Sequence, residues 1–160
     1  MNMNIRIFEC NYTKWAQQKN LDKVILDYAQ TSILNKDKEK AKNPKKFVDD
    51  MIIAYANLDE CNDVHFICAT NEQGELVGLC IYVMEYYEHA LAREAHVDSI
   101  FLQEEYRKHG NGTAFMKFIF ENAKKNGASL CFISANVDSK TNRVFGKMFK
   151  PMFSIFCKEL

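Results

Sequence analysis

Apolar residues fall along the chain in two rhythms. One is the short alternating or continuous run of a strand, the other the three- and four-residue interval of an amphipathic helix. Residues 5–10 carry the first rhythm and predict a strand. Trp15, then Leu21, Val24, Ile25, Tyr28, Ser32 and Ile33, carry the second and predict a helical region. Residues 36–46 (KDKEKAKNPKK) interrupt it with charges of both signs, which reads as a solvated linker rather than a binding patch. Asn43-Pro44 offers an N-cap with proline at the first helical position. Phe47, Met51, Ile52, Tyr55 and Leu58 would share one face of the helix that follows.

The second half changes character. Residues 65–70 and 76–86 read as strands joined by a hairpin turn at 71–75, and a loop at 88–93 leads to a strand over 95–102. An amphipathic helix over 111–125 turns Ala114, Phe115, Phe118, Ile119 and Ala123 inward, and Asn126-Gly127 stops it. A strand over 130–136, a short helix over 140–149 and a last strand over 153–157 complete the chain. Strands and helices alternate without an internal repeat, so the fold class is α/β (α+β), a sheet with helices packed on it.

Composition narrows the function classes. A chain of 160 residues with 48% hydrophobic content is sized for one core and one domain over residues 1–160. Lys+Arg 21 against Asp+Glu 21 gives no overall pull on nucleic acid or anionic lipid. No apolar run approaches a membrane span, and the first ten residues are too polar for a secretory signal. Six cysteines (10, 61, 68, 80, 131 and 157) show no C-x-x-C or C-x-x-H spacing, so no metal site is expected. Reduced thiols, most of them within apolar strands, fit a cytoplasmic protein.

One segment carries chemistry: Arg107-Lys108-His109-Gly110-Asn111-Gly112-Thr113, between a strand and a helix. Two glycines there let the backbone turn tightly and aim several amides one way, and the helix adds its unpaired N–H groups and positive dipole end. Such a junction can receive a diphosphate without net positive charge, and Arg107 and Lys108 add local potential. It is no P-loop, because Gly112 is followed by Thr113-Ala114. A dinucleotide fold would need a third glycine where Phe115 stands.

The remaining pattern, Arg/Gln-x-x-Gly-x-Gly/Ala after an apolar strand, resembles motif A of the GCN5-related N-acetyltransferases (GNAT). Residues 96–107 are similar to that family's fourth strand and the turn leaving it, and 71–78 to its second and third strands. Residues 130–135 fit its fifth strand, and Asn142 fits the asparagine that opens its fourth helix. The likeness covers about residues 62–160, the cofactor-binding core, with 11–60 as a variable helical segment. It implies a mixed, mostly antiparallel sheet with splayed fourth and fifth strands and helices on both faces. It also implies acetyl-CoA as cofactor. Backbone amides from Lys108 through His109, Gly110, Asn111 and Gly112 to Thr113 would cradle the pyrophosphate. Phe101 and Leu102 would pair with the pantetheine arm, Asn142 would touch it from the other side, and the Leu102 amide would face the acetyl oxygen.

The implied reaction is direct attack of an amine on a thioester in a ternary complex. A protonated amine must first lose a proton. His96 holds the strand position of the family's base, and histidine, with an ordinary pKa of about 6.5, suits that task at neutral pH. Asp98 lies two residues on, projects from the same strand face and, like Glu94, is a substitute candidate for that base. Glu85, Tyr87 and Glu94 lie on the implied acceptor side, where acid and aromatic groups favour a cationic amine, either small or a lysine side chain. One departure stands out. The family's late tyrosine, which protonates the leaving thiolate, has no counterpart in residues 142–153, and Phe149 is nearest its place. A binding module that keeps the fold without catalysis, with or without coenzyme A, is the alternative reading. A nucleic-acid binder using residues 36–46 is a third, disfavoured by the charge balance. A monomer or homodimer fits the composition, and no membrane partner is implied.

Overall fold

The computed structural model describes residues 4–31, 43–87, 92–135 and 140–149. Strands β1 (Arg6–Cys10), β2 (Asp63–Thr70), β3 (Leu76–Tyr87), β4 (Ala92–Leu102) and β5 (Leu130–Phe132) form one sheet in that order. The first three junctions are antiparallel and the β4–β5 junction is parallel. The mixed, mostly antiparallel sheet expected from the sequence is therefore the one observed.

Helices cover both faces. α1 (Tyr12–Ala16), α2 (Leu21–Thr31) and α3 (Pro44–Cys61) pack on one side, where Trp15, Tyr55, Phe66, Ile81 and Phe101 form a core. Trp15 meets Tyr55 edge-on, ring centroids 5.4 Å apart, and each fully buried large side chain stabilises the fold by about 1.5–3 kcal/mol. α4 (Asn111–Lys125) and α5 (Lys140–Met148) cover the other side over Ile67, Val77, Tyr82, Phe115 and Ile119. Alternate residues of β2 and β3 divide between the two cores, as period-two side chains must.

Local chemistry sets the helix ends. Asn43 caps α3, its side chain accepting from the Lys46 amide at 3.5 Å, and Pro44 follows where no donor is lost. Beyond α4, Ala128 donates to the Ala123 carbonyl and Gly127 to that of Lys124, both at 3.0 Å, with Gly127 at φ 94. That pair of bonds is a Schellman stop.

Three expectations change. The first helical region is split, because Asn20 adopts φ 74 and donates to the Leu76 carbonyl at 3.1 Å while the Leu76 amide reaches Lys19 O at 2.8 Å. Ala92 and Arg93, expected in a loop, already belong to β4, and β5 ends at Phe132 instead of running to 136. The last strand, over 153–157, the linker residues 36–42 and loop residues 88–91 lie outside the described residues. Among the described residues, Cys10, Cys61, Cys68, Cys80 and Cys131 are unbridged, and no helix is long and apolar enough to cross a membrane.

Candidate active site

Strand β5 pairs with β4 only at Glu94, Ala95 and His96. Beyond His96, β4 continues to Leu102 without a strand partner on that side among the described residues, so the two strands splay. The Gln103 amide donates to the Val77 carbonyl at 2.9 Å. Antiparallel alternation then turns the Phe101 backbone toward β3, and those of Leu102 and Ile100 toward the open edge. The Leu102 carbonyl agrees, since it leaves the ladder to accept from Arg107 Nε at 2.6 Å. Gly78 lies opposite Leu102, where a Cβ would come within 2.7 Å of Leu102 Cδ1 and 2.9 Å of the Phe101 carbonyl. Only glycine lets β3 and β4 close together there.

A 3-10 turn (Glu104–Arg107) leads from this edge to the loop. His109 and Gly110 take positive φ, 56 and 83, which swings the chain into α4. Gly110 is the N-cap and offers no side-chain oxygen, and the first turn holds no acid. The Asn111 amide is taken by the Lys108 carbonyl at 3.2 Å, whereas those of Gly112 and Thr113 precede the first intrahelical acceptor. A Cβ on Gly112 would meet nothing of the chain closer than Arg107 O at 3.8 Å, so internal packing does not demand glycine. A ligand approaching the backbone would.

His96 sits on the α1–α3 side of the sheet. Its ring stacks on Phe132 of β5, centroids 4.9 Å apart and planes 19° apart. Nε2 lies 3.3 Å from Glu94 and 3.7 Å from Glu85, the first carboxylate buried and the second exposed. β4 bulges between Val97 and Ser99, so Asp98 and Ser99 both face α3. Asp98 Oδ2 accepts from Tyr55 at 2.7 Å and from Ser99 at 2.9 Å, and the two hydroxyls also touch. Burial, joined by the Asp98 charge, pushes the Tyr55 phenol well above its usual range and keeps it a donor. Asp98 thus shares a face with His96, as expected, but bonds elsewhere.

The model of the Acetyltransferase (GNAT) family matches residues 28–148. This chain belongs to that family. GNAT members in general take the acetyl group from acetyl-CoA. Among solved structures, a Trypanosoma brucei acetyltransferase superposes with a TM-score of 0.69 at 11% identity, covering 98% of this chain and 100% of that one. An aminoglycoside acetyltransferase from an uncultured soil metagenomic sample gives 0.70 at 14%, covering 99% of each chain. The ribosomal-protein-alanine N-acetyltransferase of Brucella melitensis gives 0.69 at 15%, covering 98% and 99%. At these identities the likeness establishes the fold alone. No curated protein matches the sequence.

Within the GNAT frame, the sequence-derived residues fall into two groups on β4 and its sequel. Glu85, Glu94 and His96 form one cluster, and Tyr87 ends β3 beside it. Leu102, Arg107 and the loop from Lys108 to Thr113 form the other, while Asn142 is half-buried on α5 and is assigned to neither group. Phe101 is corrected in one respect: its backbone is engaged with β3, and its ring lies under the Arg107 guanidinium at 5.4 Å. Ile100 and Tyr55 were not singled out. Tyr55 read as one apolar position among several on α3, because its hydroxyl partners lie 43 and 44 residues away. Phe149 packs against Phe120 and Phe145, at 5.1 and 5.5 Å, as an ordinary core aromatic.

Proposed function

We propose that the protein is an N-acetyltransferase that moves the acetyl group of acetyl-CoA onto a primary amine by direct attack in a ternary complex. The observation that carries this reading is the open β4 edge at Ile100 and Leu102, beside a helix N-terminus without a side-chain cap. Amides of Gly112 and Thr113, with Lys108 alongside, suit the diphosphate, and the Leu102 amide suits an acyl oxygen. When bound, acetyl-CoA supplies a thioester carbon that accepts the amine lone pair, the C–N bond forming as the C–S bond breaks.

His96 takes the amine proton. Glu94 and Glu85 flank its Nε2 at 3.3 and 3.7 Å. An acyl-cysteine route is disfavoured by the position of Cys131. It packs into the α4-side core while His96 faces the other side, and burial pushes its thiol up to about 11. The late tyrosine is replaced by water as the proton source for the thiolate, which is a good leaving group in its own right.

The test is calorimetry with acetyl-CoA on wild type and on Gly112→Glu, with thermal melts of both. Gly112→Glu fits the fold, since its Cβ has room, yet it fills the anion cradle with a negative charge. Wild type should bind and, at about 100 times the dissociation constant, gain about 2.7 kcal/mol of stability. Gly112→Glu should melt normally without binding. A wild type that does not bind acetyl-CoA ends the transferase reading and leaves a binding module of the same fold.

A further inference from the structure

β1 pairs Phe8 with Cys68 and Cys10 with Phe66, so Cys10 and Cys68 are diagonal neighbours on one face of the sheet. Their sulfurs lie 3.6 Å apart in the core that α1, α2 and α3 cover. A disulfide holds its sulfurs about 2.05 Å apart, so roughly 1.5 Å of approach turns this contact into a bond. β1 is an edge strand, paired on one side only among the described residues, and is free to make that approach.

The two thiols differ in access and in acidity. Cys10 is half-buried, whereas Cys68 is fully buried. The Cys68 S–H donates to Cys10 Sγ and lowers the Cys10 thiol below its ordinary value, against the effect of burial; the Lys14 charge assists and that of Glu9 opposes. The same bond, together with burial, pushes the Cys68 thiol up. Burial also raises Cys80 and Cys131, and Cys61 stands exposed at the end of α3. A reachable thiol with thiolate character is the one an oxidant attacks, and a second thiol in contact resolves the product.

We infer that Cys10 and Cys68 are a peroxide-responsive thiol pair, which a hydroperoxide converts to a disulfide joining β1 to β2. The Cys10 thiolate attacks one peroxide oxygen; an S–O bond forms, the O–O bond breaks, and the hydroxide released takes up the thiol proton as water. The Cys68 sulfur then attacks Cys10 Sγ, forming the S–S bond as the S–O bond breaks. The second hydroxide leaves as water with the Cys68 proton. Two thiols are oxidised and one peroxide is reduced to two waters. Intracellular disulfides of this transient kind serve in redox sensing. The bridge would fix the corner where β1 ends and Asn11 caps α1. It owes nothing to the transferase reading.

The experiment treats the full-length protein with a small excess of hydrogen peroxide at neutral pH, blocks free thiols with N-ethylmaleimide and maps trypsin and chymotrypsin peptides. Wild type should lose two thiols and yield a Cys10–Cys68 linked peptide that dithiothreitol removes. Trp15, the single tryptophan, lies in the same core, and its emission should change and recover in step. Cys68→Ala should stop at a Cys10 sulfenic acid that dimedone traps, and Cys10→Ser should leave Cys68 a free thiol. Melting curves confirm that both variants fold, and the wild-type map decides without them. Oxidation at Cys61 with Cys10 and Cys68 left as free thiols overturns the inference. So does a Cys10 that passes to sulfinic acid without the linked peptide.

Discussion

Two histidines of this protein have nearly the same neighbours and opposite prospects. His65 on β2 stacks on Tyr82 at 4.7 Å, and His96 on β4 stacks on Phe132 at 4.9 Å. Each has two carboxylates in reach. Those of His65 are Glu9 at 2.6 Å and Asp63 at 3.1 Å, the latter off the line of a hydrogen bond. Those of His96 are farther, at 3.3 and 3.7 Å. The His65 side chain is 13% exposed and His96 41%. Around His65, Asn122 donates to Glu9 at 2.8 Å, Tyr82 bonds Asn122, and Asn126 bonds Tyr82. That knot ties β1, β2, β3 and the end of α4 together. A general base needs a ring that can meet solvent or substrate and change its proton without breaking its surroundings. His96 meets that need, whereas His65 is committed to holding elements together.

The largest effect should come from breaking the exposed member. His96→Ala is expected to lower turnover about 100-fold, the low end for a lost general base, with acetyl-CoA binding and melting temperature near wild type. Full activity of the variant between about pH 6 and 9 would remove His96 from the mechanism.

The same substitution at the buried histidine should do the reverse. His65→Ala leaves Glu9 and Tyr82 short of a partner, and a broken buried network of this kind costs about 1–3 kcal/mol. In a chain of this length that lowers the melting temperature by several degrees. Turnover, measured below the transition, should stay within threefold of wild type. A His65→Ala protein that melts like wild type yet turns over slowly would make this histidine the functional one.

Little of this contrast was legible in the sequence, and the reason is range. Helix α4 was read with its limits intact, because amphipathic spacing and the Asn126-Gly127 stop are local signals. The turn at residues 108–113 that opens α4, proposed above to receive a diphosphate, was legible as a strand-to-helix junction for the same reason, as six consecutive residues. The break at 17–20 was not, because what stabilises it is Leu76, far along the chain. The β4 bulge was equally hidden, and with it the reason that Asp98 and Ser99 share a face. β5 was overextended because an apolar run announces burial, whereas a parallel partner that veers away leaves no mark on periodicity. For His65 the chain offers only a residue in a strand, since Glu9 is 56 positions off and Asn126 is 61.

The smallest effect sharpens the comparison through pH. Burial alone would raise the Glu9 carboxyl, but hydrogen bonds from His65 and Asn122, with the His65 and Lys125 charges, outweigh it and lower its pKa below the ordinary carboxylate value. A carboxylate depressed by folding stabilises the native state above its unfolded pKa, about 4.3, and that contribution is lost as pH falls through the lower folded value. Glu9→Gln should therefore flatten the acid limb of the stability curve below about pH 4.3 and cost a modest amount at neutral pH. Solvent at the half-exposed Glu9 screens the interaction, so the difference in slope should amount to less than about 1 kcal/mol. Melting temperatures of wild type and Glu9→Gln, taken from neutral to acidic pH, read it directly. Curves that stay parallel through that range would mean that Glu9 is held no more firmly than a surface acid, and the rigidity assigned to the His65 knot would then rest on Asn122, Asn126 and Tyr82 alone.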